Sequence, residues 1–194
     1  MSSCHHRVRV TWTPLLVAAS LSLAALAALG SVASAQQHAD RNGMAFSAEA
    51  GPLGKKSLFT LSSAKADLRR VDLRILEGAR VPSVKRAAGL RVGTLTADGV
   101  GSPLALTVPR GGASASDVTL AHHGALRVTF APGSKTFISI TGLPAKTRSV
   151  ELSFRGGKGQ VVTSAGCEDE QNFRATITRA GAKKAVTADA GVTC

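Results

Sequence analysis

Tyrosine is absent from the 194 residues, and the single tryptophan, Trp12, lies close to the N-terminus. Six phenylalanines complete the aromatic set: Phe46, Phe59, Phe130, Phe137, Phe154 and Phe173. Sites for sugars and for single-stranded nucleic acids commonly use exposed aromatic platforms on which a ring or base stacks. Most of these phenylalanines occupy apolar positions of alternating segments, which assigns them to a core. The sequence therefore argues against stacking-based lectin and RNA-binding classes, and no specific nucleic-acid partner is expected.

Catalytic signatures are equally scarce. The chain has no G-x-S-x-G, no HExxH and no phosphate-cradling GxxxxGK[ST]. Triad members need not be neighbours in sequence, so a small extracellular hydrolase stays the least favoured of three readings. His122 and His123 are the best metal candidates, but adjacent strand residues point to opposite faces, so sharing one ion requires a turn at "AHHGA". Beyond residue 35 the only other histidine is His38, whereas zinc sites typically use three or four ligands. Glu168-Asp169-Glu170 lacks the interleaved spacing of a calcium loop and reads as a solvated acidic turn. No cofactor and no metal is expected.

No acidic residue precedes Asp40, and this absence frames the N-terminus. Arg7 and Arg9 lead into an uncharged run from Leu15 to Gly30, then Ala33-Ser34-Ala35. A basic start, a short apolar segment and a small-residue site describe a secretory signal cut after Ala35. The apolar run is shorter than the ~20 residues that span a bilayer. The expectation is a signal peptide over 1–35 and a mature chain with no transmembrane segment, secreted or loosely held at the cell surface.

Acidic side chains are few overall, 12 against 24 Lys and Arg. Two of those cations precede the expected cut and none of the acids does, so the mature chain carries +10. Basic secreted proteins tend to associate with anionic surfaces. The densest stretch supplies a candidate basic surface of Arg69, Arg70, Arg74, Arg80, Lys85, Arg86 and Arg91, interspersed with Asp67, Asp72 and Glu77. Mixed signs at alternating positions are also the pattern of an ordinary solvated strand face.

What the chain does have is period two. Val71, Leu73 and Ile75 share a face; so do Leu104, Leu106 and Val108; so do Leu126, Val128 and Phe130. Val150, Leu152 and Phe154 point inward with Glu151 and Ser153 outward, and Phe173, Ala175 and Ile177 oppose Arg174, Thr176 and Thr178. "TFISIT" places Ile138 and Ile140 on one side and Phe137 on the other, as in a strand buried on both faces. Strict alternation marks half-buried strands. Glycine- and proline-rich breakers punctuate it, including "GGKG" at 156–159, read as a hairpin turn, and only "PSVKRAAG" suits a short helix. Short strands at such spacing predict an all-β, antiparallel sandwich over 57–194. Residues 36–56 lack clear alternation and read as a flexible N-terminal arm.

Cysteine is limited to Cys4, Cys167 and Cys194. Cys4 leaves with the signal, and the remaining pair in an oxidising compartment predicts one disulfide. Val186, Ala188, Ala190 and Val192 share a face, and Cys194 has the same parity. A Cys167–Cys194 bond pins the last strand into the sheet.

Read together, "RVGTLT", "LRVTFAPGSKTFISITGLPAKTRSVELSFRGGKG", a cysteine, "FRATITRAG" and a closing "VTC" resemble β-sandwich units of large secreted actinobacterial proteins. The resemblance covers roughly residues 70–194. It implies an extracellular, immunoglobulin-like module with paired cysteines and no catalytic residues to transfer. The chain departs from those relatives in having one unit where they often have several, which argues against a long stalk. The sequence thus predicts a secreted, non-enzymatic structural or interaction module at the bacterial cell exterior. The alternative is a binding protein for an anionic envelope polymer, acting through a basic face.

Overall fold

The computed structural model describes residues 38–39, 43–50, 55–77, 79–80, 87–110, 118–157, 160–164 and 171–192. The expected signal, all three cysteines, Lys85, Arg86 and Glu168–Glu170 lie outside the described residues. In chain order the strands are β1 (His38–Ala39), β2 (Met44–Ala50), β3 (Ser57–Ser63), β4 (Leu68–Glu77), β5 (Ala79–Arg80), β6 (Arg91–Ala97) and β7 (Leu104–Thr107). They continue as β8 (Val118–His123), β9 (Leu126–Phe130), β10 (Thr136–Thr141), β11 (Ser149–Phe154), β12 (Thr163–Ser164), β13 (Gln171–Arg179) and β14 (Val186–Val192).

Two six-stranded sheets, wholly antiparallel, account for all but β5 and β12, which pair with each other. Sheet 1 runs β1-β2-β3-β11-β6-β7 and sheet 2 runs β14-β13-β4-β10-β9-β8. The predicted all-β sandwich is what forms. Among the described residues there is no helix long and apolar enough to cross a membrane. Of the segment read as a short helix, residues 87–89 are described: Ala87 is in a 3₁₀ conformation and a turn follows, in which Leu90 N–H donates to the Ala87 carbonyl at 2.8 Å.

Alternation decides which side chains enter the core. Leu126, Val128 and Phe130 on β9, Val150, Leu152 and Phe154 on β11, and Phe173, Ala175 and Ile177 on β13 are all buried. All six phenylalanines are buried, so none is left as a stacking platform. Phe59 of sheet 1 touches Phe137 and Phe173 of sheet 2, and that cluster stitches the two layers together. Burying a side chain of this size contributes roughly 1.5–3 kcal/mol.

The segment read as an arm departs from expectation. Residues 44–50 form β2, with Met44, Phe46 and Ala48 completely buried. The period is present in "MAFSAEA", but alanine stands on both faces and flattens the contrast that makes alternation visible.

A second correction concerns Phe137. β10 is not buried on two faces. Thr136 pairs with Arg74 and Ile138 with Leu73, leaving Phe137 as an extra residue in a β-bulge. A bulge interrupts the two-residue period, so consecutive Phe137 and Ile138 both reach the core.

The loop from β10 to β11 carries the chain from sheet 2 to sheet 1. Its Thr147 is fully buried, with Oγ1 2.8 Å from the Asp98 carbonyl and 2.9 Å from that of Pro144. The Asp98 carboxylate accepts the N–H groups of Arg148 and Ser149 at 3.1 and 2.8 Å. Gly142 opens this loop at φ +70°, and a Cβ there would lie 1.9 Å from the Ala125 carbonyl oxygen. Only glycine meets both demands. At "GGKG", Gln160 N–H donates to the Gly157 carbonyl at 3.0 Å, so a turn forms. It is not a hairpin between neighbours, because the strand after it, β12, pairs with β5 and not with β11.

Candidate anion-binding surface

The cations grouped by sequence do not share one face. Arg69, Arg70 and Arg74 lie on β4 in sheet 2, whereas Arg91 lies on β6 in sheet 1. The backbone of Arg80 belongs to β5.

On sheet 2 the outward side chains line up across six strands. Thr187, Thr176, Asp72, Ser139, Thr129 and Thr119 are successive register partners. A neighbouring row pairs Asp189 with Arg174, Arg174 with Arg74, and Arg74 with Thr136. Acids are interleaved with the arginines here. Arg70 Nε donates to Asp72 at 2.8 Å, and the Ser139 hydroxyl donates to the other oxygen of the same carboxylate. Arg174 and Asp189 form a two-pronged pair at 2.7 Å for each bond. Its hydrogen bonds to Asp189, and then the charge of that carboxylate, hold the Arg174 guanidinium above its ordinary pKa. Arg74 has a buried Nε with no hydrogen-bond partner. On this face Arg70 and Arg174 are answered in place by Asp72 and Asp189, whereas Arg74 is in no ion pair among the described residues.

Sheet 1 differs. Register pairs Ser57 with Phe154 and Phe154 with Gly93, across β3, β11 and β6. One step beyond those three residues come Lys56, Arg155 and the Arg91–Val92 pair. Adjacent strands lie about 4.8 Å apart, so cations far apart in sequence gather at one end of the sheet. Arg155 N–H donates to the Val92 carbonyl at 2.7 Å, which extends the pairing to that level.

A bulge in β6 completes the arrangement. Arg91 pairs with Thr107 and Gly93 with Leu106, so Val92 is the extra residue. Regular alternation back from outward-facing Thr94 would aim Val92 at solvent and Arg91 at the core. The bulge reverses both: Val92 is fully buried and Arg91 exposed. Re-aiming a side chain is a recurrent use of bulges.

The result is a recess of about 350 Å³ lined by Lys56, Arg91, Gly93, Thr94, Ser153 and Arg155. Thr94 and Ser153 are register partners, so their hydroxyls stand side by side on its wall. Arg91 is steadied by its Nε, which donates to the Gly93 carbonyl at 3.4 Å. Three cations and two hydroxyls line the recess without a carboxylate. None of the ion pairs among the described residues involves Lys56, Arg91 or Arg155. Glu151 shares the outer face, but it precedes Ser153 on β11 and does not line the recess.

Sequence reasoning identified Arg91 but grouped it with the wrong neighbours, and it missed Lys56, Arg155, Thr94 and Ser153. No signal in the linear sequence marks them, because the strand register brings them together. His122 and His123 are exposed at the end of β8, opposite Arg127 and Leu126. Among the described residues no group of three or more His, Cys, Asp or Glu is placed to hold a metal ion.

The fold and this surface define a two-sheet antiparallel β-sandwich with a basic recess on one outer face. No protein-family model matches the chain, and no curated protein matches it.

Proposed function

We propose that this chain is an exported, non-enzymatic interaction module at the bacterial cell exterior, and that it holds an anionic envelope polymer. The observation that carries the reading is the convergence of Lys56, Arg91 and Arg155 in one recess without a lining carboxylate. An anionic polymer satisfies those charges more directly than a protein partner of mixed charge. The basic N-terminal segment, the apolar run and Ala33-Ser34-Ala35 support export. Kinship with immunoglobulin-like units belongs to the same proposal. The two sheets pack face to face as in those units, with six strands in each where the constant-type domain divides seven between two sheets.

Retention on isolated bacterial envelopes, measured by co-sedimentation of the purified protein, tests the reading. Binding at low ionic strength and release by salt are expected, since exposed charges are screened over about 8–10 Å at physiological salt. Retention that ignores salt rejects an electrostatic partner. Absence of retention favours a plain structural role.

A further inference from the structure

We infer that the recess between β3, β11 and β6 is a seat for one phosphate-class oxyanion, with Lys56, Arg91 and Arg155 supplying charge and Thr94 and Ser153 supplying neutral donors. The inference rests on the reading above only in taking the bound group to be part of an envelope polymer; the site itself is argued from its own geometry.

Donor number is the first argument. An ammonium offers three N–H donors and a guanidinium five, and each hydroxyl adds one. Even with Arg91 Nε committed to the Gly93 carbonyl, the donors far outnumber what the two oxygens of a carboxylate can accept. A phosphate group presents three or four oxygens tetrahedrally and carries one to two negative charges. It matches both the count and the charge. Guanidinium forks also suit phosphate oxygens, which they bind in pairs.

Placement is the second argument. The three cations sit at one end of three adjacent strands, Lys56 just before β3, Arg155 just after β11 and Arg91 at the start of β6, and the register partners Thr94 and Ser153 line the same recess. Like charges so close repel one another, and no acid among the lining residues offsets that repulsion. Seating an anion relieves it. The bulge at Val92 gives the arrangement its third cation, because unbroken alternation would bury Arg91. A Cβ on Gly93 would lie 2.2 Å from the Ser153 carbonyl oxygen, so only a residue without a side chain fits where β6 meets β11 at the recess. The cations are exposed, so binding is modest in strength and sensitive to salt.

The test is a titration of the ¹⁵N-labelled protein with inorganic phosphate and pyrophosphate, followed by amide shifts, with acetate at matched ionic strength as the comparison. Saturable shifts centred on Gly93, Thr94, Ser153 and Arg155 are expected for phosphate and pyrophosphate and not for acetate. Arg91→Gln and Arg155→Gln should each weaken binding by roughly three- to tenfold, as expected for an exposed charge-assisted contact, and the double variant should abolish it. Arg69→Gln, on the other sheet, should leave it unchanged. Shifts spread over all the arginines, or matched by acetate, would overturn the site, and the wild-type map decides this even if a variant misfolds. Envelope co-sedimentation separates the two proposals. Phosphate bound in the recess without envelope retention leaves the site standing and overturns the polymer reading. Retention undiminished in a folded double variant overturns the recess as the polymer's seat and leaves the broader reading intact.

Discussion

Phe59 and Phe173, one from each sheet, meet edge to face with ring centroids 5.0 Å apart and planes inclined at 75°. Phe59 also contacts Phe137 of sheet 2 and Phe154 of its own sheet, so one side chain touches three others, two of them across the interlayer space. Tilted and edge-on aromatic contacts contribute about 0.5–1.5 kcal/mol beyond the burial of area.

Phe59→Ala should therefore lower stability by about 3–5 kcal/mol, the range for emptying a packed aromatic site. Phe59→Leu refills much of the volume and should cost clearly less. Tyrosine is absent and the single tryptophan is Trp12, so urea unfolding followed by circular dichroism is the suitable measurement. Equal losses for the two variants would show that the aromatic cluster does not join the layers.

Much of this core was legible in the sequence. β9, β11 and β13 alternate large apolar side chains with polar or charged ones, and the structure buries the predicted set. β2 was hidden because alanines at Ala45 and Ala48 occupy opposite faces without contrast in size or polarity. Bulges at Val92 and Phe137 were illegible for a different reason. They are decided by the partner strand, and the local residues read equally well as unbroken alternation. The recess inherits both difficulties. Lys56, Arg91 and Arg155 become neighbours only through the β3–β11–β6 register, and Arg91 faces outward only through the bulge. Composition announced the positive charge; pairing determined where it gathers.

Gly93 offers a direct check on that register. Its missing side chain lets β6 and β11 close, with the Ser153 carbonyl occupying the space a Cβ would need. Gly93→Ala forces backbone apart from backbone, since no flexible side chain can move away. Overpacking of this kind typically costs about 1–3 kcal/mol, and thermal unfolding should show it. Gly101→Ala, which meets nothing within 4 Å, is the matched control and should be close to neutral. A Gly93→Ala protein as stable as that control would show that the two strands do not approach this closely.

The last prediction concerns a bond between Cys167 and Cys194. β13 and β14 pair in register from Ile177 and Val186 to Gln171 and Val192. Cys167 precedes Gln171 by four residues and Cys194 follows Val192 by two. The hairpin thus brings together the backbone positions from which the two cysteine segments depart. A disulfide needs Cα atoms about 4.4–6.8 Å apart, and paired strand ends set that scale. The export proposed above would place the pair in an oxidising compartment, where such a bond forms. β14 is the edge of sheet 2, so a covalent tie at its end resists fraying where hydrogen bonds exist on one side only. Cys194→Ser should leave most of the sheet folded and lower stability by about 2–5 kcal/mol. Peptide mapping without reductant should recover the two cysteines in one linked fragment from monomeric protein. Free thiols at both positions, or a dimer joined through Cys194, would mean that strand pairing alone holds β14 in place.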